Sequence, residues 1–77
     1  MTIDPGYALN LGLMLAEKIG VSANTRKQWR LRGYIPPSSH HAIIKEVRDA
    51  ATGPTPYEVD SFDLWDALVA LEKSASR

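Results

Sequence analysis

Apolar residues recur at helical spacing along most of this chain, in segments parted by glycine and proline. From Tyr7 to Ile19 a broad stripe carries Tyr7, Leu11, Met14, Leu15 and Ile19, and Leu9 and Leu13 extend it around the helix. Asp4 or Thr2 is placed to cap this helix, with Pro5 near its first turn. Gly6, Asn10 and Gly12 lower helix propensity, so one continuous helix and two short ones both fit. The apolar surplus reads as core packing in a small all-helical domain, with an interface as the alternative.

Leu15, Ala16 and Ile19 lie on one side of a helix that ends where Gly20 takes positive φ, and Val21 then drops toward the core. Ser22 can accept from free N–H groups of the following turn, and Ala23 to Leu31 has no Gly or Pro to stop a second helix. Trp29 is the expected buried anchor of that helix. Asn24, Lys27, Gln28 and Arg30 are too polar to share its face and are expected to point outward. Gly33 ends the helix, Tyr34 and Ile35 fold back as a plug, and Pro36-Pro37 makes an extended link.

Ser38 or Ser39 is expected to cap a further helix, on which Ile43, Val47 and Ala50 or Ala51 form a stripe widened by Ile44. No alternation up to this point supports a strand. Thr52-Gly53-Pro54-Thr55-Pro56 reads as a linker, after which Tyr57-Glu58-Val59 can run extended. Ser61 or Asp60 caps a last helix with Asp63 in its first turn. There Phe62, Leu64, Trp65, Leu68, Val69 and Leu71 occupy nearly the whole circumference, and Asp63, Asp66 and Glu72 leave a narrow wet side. Such a helix either lies in a groove of its own domain or pairs with a second chain. Phe62, Trp65, Leu68 and Val69 are the interface candidates. The expected architecture is an all-α helix-turn-helix domain of four to five helices. It divides into a core over 1–51, a Pro/Gly linker over 52–60 and an apolar, acidic helix over 61–77 that belongs to the same domain or dimerises.

A chain of 77 residues makes one domain with a thin core, burying roughly 60% of its unfolded surface. A homodimer is therefore physically attractive. The absence of cysteine excludes disulfides, thiolate metal sites and thiol nucleophiles, and fits a reducing interior. No stretch approaches the roughly 18 apolar residues that span a bilayer, and the opening residues lack the basic segment of a signal peptide. No membrane association is expected.

Net charge is zero, but its distribution is uneven. From Ser22 to Arg48 the cations Arg26, Lys27, Arg30, Arg32, Lys45 and Arg48 face the single acid Glu46. From Asp49 onward Asp49, Glu58, Asp60, Asp63, Asp66 and Glu72 outnumber Lys73 and Arg77. A basic middle can attract a phosphate backbone, and an acidic tail can face solvent or contact a protein.

Catalytic and metal chemistry find little support. His40 and His41 are neighbours, and adjacent helical positions diverge by roughly 100°, unlike an i, i+4 chelating pair. One of them touching phosphate would make binding weakly pH-dependent. Asp63 and Asp66 have a catalytic spacing but read as a solvated face, and the Ser38-Ser39-His40-His41 run is not a separated nucleophile, base and orienter. No enzyme activity, metal or cofactor is expected.

Leu15-Ala16, Gly20-Val21-Ser22, Gln28-Trp29, Arg32-Gly33, Ile35-Pro36 and Ala42-Ile43 together resemble the small phage-type Cro and YdaS-like repressors of the lambda-repressor-like helix-turn-helix superfamily. The resemblance spans roughly Leu11 to Val47. It implies structural roles for Ala16 (close helix crossing), Gly20 (the turn), and Val21 and Trp29 (the interhelical angle). It further implies a dimeric, cytoplasmic, DNA-associated repressor in a bacterial or phage-infected cell, placing one helix per half-site of a short inverted repeat. Asn24, Lys27 and Gln28 are the base-reading candidates, since amides pair with adenine and cations reach guanine. Ser22, Thr25, Arg26, Arg30 and Arg32 are the phosphate candidates. Arg26 departs from the family pattern, which has a small aliphatic residue there. Either its stem lies against Trp29 with the guanidinium at the rim, or Thr25 turns inward. The alternative function is a protein-interaction module that docks a partner through the C-terminal helix.

Overall fold

The computed structural model describes residues 3–75, and over these the chain forms four helices and no strand. They are α1 (Pro5–Lys18), α2 (Ala23–Arg32), α3 (Pro37–Ala51) and α4 (Ser61–Ala75). α1 packs with each of the others, and α4 packs with both α1 and α3.

Asp4 caps α1, its Oδ2 accepting from the Tyr7 N–H at 3.1 Å, with Pro5 in the first turn. Thr2, the alternative cap, lies outside the described residues. The helix runs unbroken through Gly12, for a reason of packing. A Cβ at Gly12 would stand 2.5 Å from Ile35 Cδ1 and 3.4 Å from Leu68 Cδ2, so the missing side chain is where two neighbours press against α1. Ala8, Gly12 and Ala16, spaced at i, i+4 and i+8, are all buried. The inward face of α1 is thus a ridge of small residues flanked by Leu11, Leu13 and Leu15. Tyr7, Met14 and Ile19, expected in the buried stripe, are exposed instead. Large apolar side chains mark an apolar face from sequence, but close crossing here selects the small ones.

The largest fully buried side chains are Leu15, Ile35, Ile43, Leu64 and Leu68, drawn from α1, the α2–α3 connection, α3 and α4. Ile35 is the expected plug, whereas Tyr34 is half-buried. α3 begins earlier than a serine cap allows. Pro36 occupies the cap position without a side-chain bond, Pro37 is the first helical residue, and Ser38 and Ser39 fall inside the first turn. Proline at that position needs no N–H partner and already holds a helical φ, so the hydroxyls are not required. His40 is buried, its Nε2 donating to the Ile35 carbonyl at 2.6 Å. Contact with phosphate or solvent, expected for one of the two histidines, is thereby left to His41, which is exposed.

Residues Thr52 to Pro56 are exposed and form no regular element. Tyr57 and Val59 then settle against the core, the chain bending at Glu58 and Val59 rather than running extended. The Lys18 ammonium lies 5.2 Å from the centre of the Tyr57 ring, and the neighbouring phenol raises its pKa above the ordinary lysine value. Asp60 is the cap of α4, accepting from the Phe62 and Asp63 N–H groups at 2.9 and 3.2 Å. One side of α4 packs on its own core, where Leu64 and Leu68 are fully enclosed, while Phe62 and Trp65 stay outside. Leu68 is therefore a core residue with no surface for a partner. The molecule is only 18 Å through its thinnest dimension, under two helix diameters of roughly 10–12 Å, so helices keep an outer face. Among the described residues, no helix is long and apolar enough to cross a membrane.

Candidate nucleic-acid interface

The last turn of α1 closes on itself through a left-handed glycine. Ile19 N–H donates to Leu15 O, Gly20 N–H to Glu17 O and Val21 N–H to Ala16 O, at 3.1, 3.2 and 2.9 Å. Gly20 has φ 93°, which a side chain would resist even though the space around it is open. Val21 packs against the core, half-buried, and the chain turns directly into α2.

Ser22 caps α2 with extended backbone, its Oγ accepting from the Thr25 N–H at 3.2 Å. The same hydroxyl donates to Thr25 Oγ1 at 2.9 Å. Ser22 is thereby occupied locally, and the proton of the Thr25 hydroxyl is the one left to donate outward. At the other end Gly33, with φ 84°, donates its N–H to Trp29 O at 2.9 Å and stops the helix.

Trp29 is the buried residue of α2, 6% exposed. Away from it Asn24, Lys27 and Gln28 are exposed, as are Arg30 and Arg32. α2 contains no acid. Arg26 behaves differently from the other cations. It is half-buried, its Nε donates to the Val21 carbonyl at 3.2 Å, and its Nη1 meets Glu17 Oε2 at 3.5 Å. It clamps the turn to both helices, using part of its donor set within the chain. Neither expected arrangement, a stem on Trp29 with a free guanidinium or an inward Thr25 in its place, describes it fully: Arg26 and Thr25 flank Trp29 from either side and both are half-buried. Beside α2 a shallow groove brings Leu13 and Met14 of α1 against Lys27 and Arg30.

Leu31 went unassigned in the sequence reading. It is 77% exposed, four residues after Lys27 and three after Gln28, in the middle of the polar face. Its position two residues from Trp29, about 200° around the helix, was the available signal.

The remaining candidates lie elsewhere. On α4, Phe62 is 72% and Trp65 40% exposed, and Val69 is half-buried. Among the described residues no three His, Asp or Glu side chains gather as a metal-ligand set. No protein-family model, curated protein or solved structure matches the chain.

Proposed function

We propose that this chain is a sequence-specific double-stranded DNA-binding regulator, working as a homodimeric repressor, with α1 and α2 as a helix-turn-helix. α2 enters the major groove. The observation carrying the reading is the division of α2 into a buried Trp29 and an outward side where Asn24, Lys27 and Gln28 stand exposed without an acid among them. The resemblance of the Ala16, Gly20, Val21 and Trp29 pattern to Cro and YdaS-like repressors supports the same assignment. Asn24 and Gln28 supply amides for adenine, Lys27 a cation for guanine, and Leu31 an apolar contact for the thymine methyl group. Arg30, Arg32 and the Thr25 hydroxyl take phosphates, joined by the N–H groups at the start of α2. Ser22 and Arg26 act mainly by holding the turn in shape.

The test is selection from a pool of randomised duplexes, followed by fluorescence anisotropy of the selected duplex against random DNA at several salt concentrations. The reading expects at least a hundredfold preference for the selected duplex at physiological salt, in keeping with specific recognition. Equal affinity for both would overturn it. A second reading, docking of a protein partner through α4, is favoured by the exposure of Phe62 and Trp65.

A further inference from the structure

The outer face of α4 has a neighbour that the linear sequence does not place beside it. Trp65 lies in a groove between α3 and α4, against His41, Lys45 and Arg48 of α3, with the buried Ile44 below. Those three α3 residues recur at i, i+4 and i+7 and form one basic wall, on which Asp49 is the only acid lining the groove. Phe62, Trp65 and Val69 recur at i, i+3 and i+7 and form an apolar strip on one side of α4, of which Trp65 lines the groove. Continuing around α4 away from α3, the next exposed acid is Asp66, with half-buried Asp63 beyond it. Lys73 stands at the far end of that edge. One surface therefore carries an aromatic strip with a basic wall on one side and an acidic edge on the other.

That arrangement is self-complementary. A twofold axis through the strip would lay the aromatics of two copies together and bring Asp66 of each toward Lys45 and Arg48 of the other, as an isologous interface requires. We infer that the α3–α4 face, centred on Trp65 and Phe62, is the homodimer interface, and that its occupant is a second copy of this chain. The inference rests on the DNA-binding reading for its expectation of a dimer. None of the groove residues belongs to α2, so pairing through this face leaves Asn24, Lys27 and Gln28 free.

The experiment is sedimentation equilibrium of the full chain, of three charge variants, Asp66→Arg, Arg48→Asp and the two combined, and of Trp65→Ala. All the altered side chains are exposed, and far-UV circular dichroism during melting checks that each variant folds. The full chain is expected to dimerise at tens of micromolar or below. Each single charge reversal raises the dimer dissociation constant at least tenfold, and the double reversal returns it to within about threefold. A monomeric parent at the highest concentration, or a dimer indifferent to all three charge variants, overturns the inference. So does self-association that Trp65→Ala leaves intact. The outcome is separable from the DNA reading: a monomeric variant that still prefers the selected duplex leaves that reading standing, and a dimer without sequence preference removes it while the interface stands.

Discussion

At the residue scale, two positions decide how tightly the interior closes. Gly12 in a helix interior costs roughly 1 kcal/mol relative to alanine in propensity, yet a Cβ there meets the tip of the fully buried Ile35 side chain, which would have to shift within the core. Overpacking typically costs about 1–3 kcal/mol, so Gly12→Ala is expected to lower stability by up to about 2 kcal/mol in urea unfolding despite the better helix former. A stabilised variant would show that the Ile35 side chain can move aside. His40 is the second position. Its bond to the Ile35 carbonyl fixes the plug between α2 and α3, and His40→Leu leaves that carbonyl without this donor. Such a loss costs about 1–3 kcal/mol, and each kcal/mol moves the melting temperature of a domain this size by about 4–8 °C. Neither role was legible from sequence. Gly12 looked like a weakness in a helix, and His40 like one of two interchangeable neighbours, because both act through Ile35, whose position depends on the tertiary fold.

At the element scale, the sequence was most informative where local chemistry governs. The Gly20 turn, the Ser22 cap and the Trp29 anchor follow from residues a few positions apart, whereas Ser61 and Asp60 stayed open as caps until the structure gave the bonds to Asp60. The start of α3 did not follow in this way, since a proline pair took over the task assigned to Ser38 or Ser39. The cap of α2 also separates structure from DNA contact. Ser22→Ala removes the acceptor for the Thr25 N–H and is expected to cost about 1 kcal/mol. Ser22→Asp keeps a capping oxygen and suits the positive end of the helix, so its melting temperature should stay near that of the parent. Its carboxylate would meet DNA phosphate, however, and affinity for any duplex should fall by at least tenfold in the anisotropy assay. On the same helix, Leu31→Ala is expected to erase the difference in affinity between thymine-containing and uracil-containing versions of the selected duplex, because only the methyl group differs between them. Persistence of that difference would place the thymine contact on another residue.

At the scale of the whole molecule, charge and packing are divided among different helices. Asn24, Lys27, Gln28 and Arg30 are all carried by α2, which leaves most of the closing of the core to the others. α4 does the opposite, burying Leu64 and Leu68 while turning acids and aromatics outward. The sequence could not choose between a core and an interface for α4 because its apolar residues nearly encircle it. The fold divides them, enclosing Leu64 and Leu68 and leaving Phe62 and Trp65 outside. Salt dependence is the whole-molecule prediction. With Arg26 held at the turn, Arg30→Ala and Arg32→Ala should each lower the slope of log affinity against log salt by about 1, and Arg26→Ala should act chiefly on melting temperature.

The enclosure of Leu64 and Leu68 also sets a limit on truncation. α1 and α3 both pack on α4, so the interior is incomplete without it. Deleting α4 would therefore strip the lining from Gly12 and Ile35 rather than release a shorter working unit. A chain cut before Ser61 is expected to melt without a cooperative transition, which calorimetry would register.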